Sequence, residues 1–177
     1  MIDYKFTIVI IIAYFLGNIS PSTIQAKKRG LDIKSEGSGN AGTTNTFRVL
    51  GAKPAVITLV IDIFKGVAAV FIGLYFSTAT ASMLCGLFVF LGHVFPIIYK
   101  FKGGKGIATA FGATMAIDWR IGLILLAIVA IMFIFTKTVS VSALVAVIAY
   151  PIVCYAIKPE FLYISVVMAL IALFKHR

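Results

Sequence analysis

Long apolar stretches separated by short polar loops constrain this chain more than any other feature of its sequence. Hydrophobic residues make up 61% of the chain and charged residues only 12%, whereas a soluble domain is about half apolar and about a quarter charged. A helix that crosses a bilayer needs about 20 apolar residues. We therefore predict an all-α integral membrane protein, folded as a single domain over residues 1–177.

Seven apolar stretches are candidates for crossing helices. They cover residues 6–23, 54–76, 83–98, 107–117, 121–135, 139–156 and 161–174. Residues 107–117 are too few for a full-length span, so this segment either crosses as a short helix or re-enters the membrane. If all seven cross and the N-terminus lies outside, nearly all loop lysines and arginines lie inside, and only Lys5, Arg120 and Lys158 lie outside. This positive-inside bias predicts seven transmembrane helices with a cytoplasmic C-terminus.

The net charge of +10 does not indicate a nucleic-acid-binding protein. The basic residues lie in short loops between apolar spans, where membrane orientation and anionic ligands explain them better. Cys85 and Cys154 lie in apolar spans and have no metal-ligand spacing. Because no cluster of carboxylates or histidines has such spacing either, we expect no metal and no cofactor.

A first glycine-rich segment, GSGNAGTTN, spans residues 37–45. It matches the dinucleotide fingerprint GxGxxG, but no buried strand precedes it, so we reject that interpretation. Glycines do let backbone N–H groups approach an anion, and hydroxyl, amide and guanidinium groups add donors. The candidate phosphate ligands here are Ser38, Gly39, Asn40, Thr43, Asn45 and Arg48. The alternative is a flexible surface loop with solvated charges.

A second glycine-rich segment, KFKGGKG, spans residues 100–106. It is not a P-loop, because Lys105 is followed by Gly106 and not by Ser or Thr. Lysines and glycines just before a helix still favour an anion site, since the helix dipole adds to their charge. The candidates are Lys102, Gly103, Gly104 and Lys105. The alternative, a loop kept inside by its lysines, explains the lysines but not the glycines.

Three further positions carry polar groups at the ends of spans or inside them. His93 is a candidate general base, or else a hydrogen-bonded histidine at the membrane surface. Asp62 and Lys65 lie three residues apart on one face of a span and form either a structural ion pair or a device that orients the loops. Ser140 and Ser142 lie near a helix start, where hydroxyls usually cap the backbone.

Three sequence blocks together resemble a known family. They are GNISPS at 17–22, LDIKSEGSGNAGTTNTFRVLG at 31–51 and LGHVFPIIYKFKGGKGIATAFG at 91–112. They resemble the bacterial integral-membrane glycerol-3-phosphate acyltransferases that use acyl phosphate as donor, the PlsY family. The resemblance implies seven helices and a cytoplasmic active site in the bacterial plasma membrane. It implies acyl transfer to the sn-1 hydroxyl of glycerol 3-phosphate, which yields lysophosphatidic acid and phosphate.

The resemblance also assigns residues and partners. It associates Ser38, Arg48 and Lys105, with Lys102 as second choice, with substrate phosphates. It implies roles for Ser140, less securely for Ser142, and for His176. The implied partners are acyl phosphate, glycerol 3-phosphate, membrane lipids and an upstream enzyme that forms acyl phosphate. The family usually continues past its His-Arg pair with an asparagine and a basic tail, whereas this sequence ends at Arg177, so we expect that part of the site to be missing from it.

No covalent acyl-enzyme is expected, because acyl phosphate is already activated and positioning with charge stabilisation suffices. A substrate phosphate oxygen would then accept the proton of the glycerol hydroxyl. Two other functions stay open at this level. A small transporter of phosphorylated metabolites would use the same basic loops, although no internal repeat is evident. A structural membrane protein with a lipid-binding basic face would leave the two glycine-rich segments unexplained.

Overall fold

The computed structural model describes residues 4–176, and this part of the chain is helical without any strand. Its α-helices are α1 (Tyr4–Gly17), α2 (Pro21–Lys27), α3 (Thr43–Leu50), α4 (Ala52–Phe76), α5 (Ala79–Val94), α6 (Ile107–Ile117), α7 (Trp119–Thr136), α8 (Val139–Ile157) and α9 (Leu162–Phe174). Short 3₁₀ helices at Ile97–Tyr99 and Pro159–Phe161 lie between them. The predicted all-α class is therefore confirmed.

Four helices of the described part are long and apolar enough to cross a membrane, namely α4, α5 with the 3₁₀ turn that follows it, α7 and α8. The pair α1 and α2 adds a fifth span if the two are counted together. The helices α6 and α9 are apolar but shorter. Large apolar side chains are exposed along the outer surface, Phe64, Phe135 and Tyr163 among them. This protein is a multi-pass membrane protein, and the count of seven crossings stays a prediction.

The first predicted span, residues 6–23, is broken in the structure. Helix α1 ends at Gly17, and α2 begins at Pro21 after a bend of 41°. Pro21 occupies the first turn of α2, where its missing N–H costs nothing. Ser20 caps α2 by accepting a hydrogen bond from the Thr23 amide at 3.4 Å. The break leaves the carbonyl groups around Gly17 without helical partners, and the site described below uses them.

Helix α3 lies inside the stretch that the sequence indicated to be a loop. It starts at Thr43, within the last three residues of the first glycine-rich segment, and carries Arg48 in its last turn. Gly51, with φ of 88°, separates it from α4. The glycine supplies the left-handed conformation that a reversal between two helices requires. The short helix α3 thus carries Thr43, Asn45 and Arg48, which the sequence suggested as ligands in a loop.

Small residues set the distances between the packed helices. Helices α4 and α6 pack closely at Gly66 and Gly112, where an added Cβ would collide with the backbone of Thr109 and Ile63 respectively. Helices α1 and α5 meet in the same way at Gly92, where a Cβ would collide with the carbonyl of Tyr14. Small residues favour such close approach of membrane helices. The α4–α6 contact fixes the start of α6, and with it the second glycine-rich loop, beside the middle of α4.

Candidate active site

The two glycine-rich segments converge on one face of the protein. The Lys34 Nζ atom lies 4.7 Å from the centre of the Tyr99 ring, and the carbonyl of Ala41 lies beside Gly104. A cavity of about 710 Å³ opens where the segments meet. The predicted site residues that line it are Ser38, Asn40, Thr43, Asn45, Arg48, His93, Lys105, Ser140 and His176. The fold therefore brings residues from five separate stretches of sequence into one cavity.

Positive charge concentrates at the polar end of this cavity. Burial lowers the pKa of Lys105, and the neighbouring Arg48 lowers it further. Burial is also the main cause that lowers the pKa of His176, with a smaller contribution from Lys105. Lys105 therefore lies within electrostatic reach of both Arg48 and His176. An anion bound there would relieve the repulsion between Lys105 and Arg48, so the charge at this end suits a phosphate.

The ring of His176 has a defined orientation. Its Nδ1 atom lies 2.9 Å from the carbonyl oxygen of Ala172, one turn back along α9. A carbonyl oxygen only accepts, so Nδ1 carries a proton in this arrangement. The Nε2 atom of the neutral ring is then the unprotonated nitrogen. His176 can therefore accept a hydrogen bond or a proton at Nε2, whereas its Nδ1 side is used by the backbone.

Asn45 holds the first glycine-rich segment in place. Its Oδ1 atom accepts a hydrogen bond from the Ser38 amide at 2.8 Å. Its Nδ2 group donates to the carbonyl oxygens of Ile33 at 3.2 Å and Glu36 at 3.0 Å. Both amide hydrogens are used, so Asn45 positions Ser38 and has no hydrogen left to donate to a phosphate. Thr43 differs, because its buried Oγ1 atom has no hydrogen-bond partner among the described residues.

Four predicted phosphate ligands do not line the cavity. Gly103 and Gly104 donate their amides to the carbonyls of Val94 and His93, both at 3.2 Å. Gly39 donates to Glu36 at 3.0 Å, and the exposed Lys102 lies outside the cavity. The glycine amides are therefore used within the protein. Glycine is needed at 103 and 104 for space, since a Cβ would collide with the end of α5.

Ser140 and Ser142 occupy different environments. Ser140 lines the cavity at the start of α8. Ser142 is buried, and its Oγ atom donates to the carbonyl of Thr138 at 3.0 Å and lies 3.2 Å from the Thr136 hydroxyl. This is the local bonding typical of hydroxyls in the first turn of a helix. Of the two serines, Ser140 is thus the one that a ligand in the cavity can reach.

A buried polar cluster of Asp62, Lys65, His93 and Thr109 lies below the polar end of the cavity. The Lys65 Nζ atom lies 2.7 Å from Asp62 Oδ1, so the ion pair suggested by the sequence is present. The same ammonium donates to the carbonyl oxygens of Gly17 at 3.2 Å and Ile19 at 2.7 Å. Lys65 therefore also ties α4 to the break between α1 and α2, which is a loop-orienting role.

His93 accepts a hydrogen bond at Nδ1 and carries its proton on Nε2. Its Nδ1 atom lies 2.8 Å from Lys65 Nζ and 3.2 Å from Thr109 Oγ1. Because an ammonium group has no lone pair, Nδ1 must accept, and the proton of the neutral ring is on Nε2. The Nε2 side faces Gly104, where a Cβ would collide with it. This arrangement favours a donor role over the general-base role suggested by the sequence.

The rest of the cavity is an apolar groove that the sequence did not indicate. Its walls come from α4 to α9 and include Phe90, Leu125, Leu126, Val129, Ala146, Val147, Met168, Ala169 and Ala172. Thr114 and Tyr150 also line it, and their hydroxyl oxygens are 2.6 Å apart. These residues follow no motif, because each is one apolar position in an apolar helix. A cavity with a cationic end and an apolar groove suits an amphiphile with a phosphate head.

No group of three or more His, Cys, Asp or Glu side chains able to hold a metal ion occurs within residues 4–176. The polar groups of the cavity are mainly cations, hydroxyls and amides, and its only carboxylate is that of Asp62. Such donors suit anions and hydroxyl-bearing ligands better than metal cations.

Curated relatives cover almost all of this chain. The sequence profile described as glycerol-3-phosphate acyltransferase matches residues 7–177. A protein of that name from Thermoanaerobacter sp. (strain X514) is 40% identical over 170 residues, which are 94% of this chain and 86% of the relative. One from Finegoldia magna is 39% identical over 180 residues, which are 99% of this chain and 91% of the relative.

Two solved structures share the fold. They are crystal structures of PlsY (YgiH), an integral membrane glycerol 3-phosphate acyltransferase, in a glycerol 3-phosphate form and a lysophosphatidic acid form. The TM-scores are 0.92 and 0.88, with 30% identity in both, and each match covers 97% of this chain and 88% of the other. With the family profile and the curated relatives, these matches establish that the chain belongs to the glycerol-3-phosphate acyltransferase family.

Proposed function

We propose that this protein transfers an acyl group from acyl phosphate to the sn-1 hydroxyl of glycerol 3-phosphate, releasing lysophosphatidic acid and phosphate. The observation that carries the proposal is the single cavity, in which Arg48, Lys105 and His176 surround one end and the apolar groove forms the rest. Acceptor, donor and product each combine a phosphate with either a hydroxyl-bearing backbone or an acyl chain. The cavity provides complementary chemistry for each of these parts.

The cationic end of the cavity stabilises the negative charge that develops during the reaction. As the glycerol oxygen attacks the acyl carbon, a C–O bond forms and the bond between the acyl carbon and the phosphate oxygen breaks. Negative charge develops on the acyl oxygen and on the leaving phosphate, where Lys105 and Arg48 stabilise it. The apolar groove holds the acyl chain and keeps water from the acyl phosphate. Ser38, Thr43 and Ser140 also line the cavity and supply hydroxyl donors.

The proton of the attacking hydroxyl passes to a phosphate oxygen of a substrate. His93 offers no free lone pair, since its Nδ1 accepts from Lys65. His176 has an unprotonated Nε2 and is the protein group best placed to take over this role. Full activity of a His93→Gln, His176→Gln double variant would support a substrate base. Near-total loss of activity in His176→Gln alone, with the melting temperature unchanged, would instead identify His176 as the group that accepts the proton.

We further propose that the cavity opens to the cytoplasm in the bacterial inner membrane, with seven crossings and the N-terminus outside. The exposed lysines of this face support the orientation, because Lys28 and Lys102 are exposed and the exposed Lys27 lies 5.7 Å from the Tyr99 ring, next to the second glycine-rich segment. Both water-soluble glycerol 3-phosphate and an acyl phosphate supplied by an upstream enzyme reach the site from that side. Cysteine labelling at Lys28 and at Arg120 in sealed vesicles tests the orientation, since the two positions should react from opposite sides.

The reaction itself is tested with the purified full chain in detergent. Phosphate release that requires both acyl phosphate and glycerol 3-phosphate, together with lysophosphatidic acid detected by mass spectrometry, is the expected result. An Arg48→Ala variant should lose this release, whereas Lys53→Ala, an exposed change in the same region, should retain it. Glycerol 3-phosphate uptake into liposomes without phosphate release would contradict the proposal and favour a transporter.

A further inference from the structure

The carboxylate of Asp62 has unused hydrogen-bond capacity. Its side chain is buried, with a relative exposure of 1%, and it lines the cavity. Its Oδ1 atom accepts no hydrogen bond from the described residues. A buried charged oxygen without hydrogen bonds is costly, and native proteins rarely leave one unpaired. The carboxylate therefore has the capacity to accept a hydrogen bond from a ligand in the cavity.

The geometry of Lys65 explains why the ion pair does not satisfy Asp62. An ammonium group has three hydrogens. In this structure they point to the carbonyl of Gly17, the carbonyl of Ile19 and Nδ1 of His93. Asp62 Oδ1, 2.7 Å from Nζ, is a fourth neighbour of this ammonium and is held mainly as an ion pair. A carboxylate has about four acceptor sites, so the ion pair with Lys65 neutralises Asp62 without using all of them.

The position of Asp62 relates it to the phosphate site. Its Oδ1 atom lies 3.4 Å from Nδ1 of His93. The opposite edge of that imidazole ring faces Gly104, which directly precedes Lys105. One imidazole ring therefore separates the carboxylate from the lysine loop. Lys105 and Asp62 line the same cavity, so we expect a molecule whose phosphate binds at Lys105 to bring the atoms next to its phosphate toward Asp62.

We propose that Asp62 accepts a hydrogen bond from the secondary hydroxyl of glycerol 3-phosphate and thereby fixes which hydroxyl reacts. An ion-paired carboxylate suits a hydroxyl that keeps its proton throughout the reaction, and the secondary hydroxyl is the one that is not acylated. Held in this way, the substrate presents its primary hydroxyl to the acyl carbon. The inference rests on the proposed function and adds a determinant of specificity to it.

The test compares glycerol 3-phosphate with 3-hydroxypropyl phosphate, which lacks only the secondary hydroxyl. For the wild-type protein, kcat/KM should favour glycerol 3-phosphate by about 10- to 150-fold, the factor expected for one hydrogen bond to a charged group. Asp62→Ala should reduce this preference to about threefold or less, mainly by lowering kcat/KM for glycerol 3-phosphate. Asp62→Asn should give an intermediate preference, because the amide oxygen still accepts. Glu160→Gln, an exposed acidic residue paired with Lys158, serves as the control and should retain the wild-type preference.

A purely structural role of Asp62 predicts a different pattern. It would lower activity toward both substrates by the same factor and leave the preference unchanged, and this result would overturn the proposal. Since Asp62→Ala leaves Lys65 as an uncompensated buried charge, an Asp62→Ala, Lys65→Met double variant should be measured as well. The proposal expects the preference to stay lost there, whereas recovery of the preference would contradict it. An equal wild-type rate with both substrates would also overturn it, while phosphate release with glycerol 3-phosphate would still support the proposed function.

Discussion

The two glycine-rich segments look alike in sequence but owe their glycines to different physical needs. In the first, Gly37 and Gly39 adopt φ of 59° and 69°, so the turn itself requires glycine. In the second, Gly103 and Gly104 are needed because a Cβ would collide with the end of α5. The amides of Gly39, Gly103 and Gly104 donate to the protein. The two segments of similar composition are thus both scaffolds. Because their glycine amides are used within the protein, we expect the side chains of these segments to bind the anion.

The largest effect is expected from the lysine that the second segment places in the cavity. Lys105→Ala should lower kcat/KM by about 100- to 1,000-fold, the range for removing one preorganised donor to developing charge. Lys102→Ala should change it less than about threefold, since Lys102 is exposed and contributes only to the surface field. Steady-state phosphate release measures both. Equal losses for the two variants would mean that the loop acts through its total charge and not through one side chain.

The second effect concerns the space around the second segment. Gly104→Ala should lower the free energy of unfolding by about 1–3 kcal/mol, because the new methyl group overpacks the region between His93 and Ala41. Gly30→Ala is the matched control, since Gly30 has φ of 73° but no atom within 4 Å of a Cβ. In Gly30→Ala the free energy of unfolding should fall only by the cost of placing a Cβ at positive φ, about 1 kcal/mol. Thermal melting in detergent measures both, and a smaller loss at position 104 than at 30 would disprove the packing argument.

The third effect concerns the hydrogen bonds that hold the first segment. Asn45→Ala removes the acceptor for Ser38 and the two donors to Ile33 and Glu36, at a cost of about 1–2 kcal/mol. The KM for glycerol 3-phosphate should rise, because Ser38 is no longer positioned. Hydrogen exchange at the Ser38 amide should become faster in the variant. Asn40→Ala, a change on the same loop, should leave that exchange unaltered, and faster exchange in both variants would contradict the specific role of Asn45.

The smallest effect is a change in pH dependence. The pKa of Lys105 is lowered, first by burial and then by Arg48. Phosphate binding needs the protonated amine, so affinity for glycerol 3-phosphate should fall as the pH rises through this lowered pKa. Lys105→Arg should move the alkaline decline to higher pH, since a guanidinium stays protonated. The KM measured from pH 7 to 10 tests this, and an unshifted profile in the variant would assign the decline to another group.

The sequence was informative where physical chemistry acts locally. Apolar stretches predicted membrane helices, and the segment around Ser38 and Arg48 predicted an anion site, because these signals depend on neighbouring residues alone. The break between α1 and α2 was missed, and so was the helix α3 with the break that separates it from α4. Pro21 and Gly51 mark those breaks, but a proline or glycine ends a helix only when tertiary contacts do not carry the chain onward.

The sequence by itself determined the class of protein and placed Asp62 and Lys65 on one helix face, where they form an ion pair. It also predicted which residue types would bind an anion. The tertiary structure alone decided that Lys105 lines the cavity and Lys102 does not, that Asn45 bonds to the loop, and that an apolar groove adjoins the cationic end. These outcomes depend on contacts between residues far apart in the chain. Packing of α4 against α6 and of α5 against α1 sets those contacts, and no local pattern encodes which donor is already used when the helices meet.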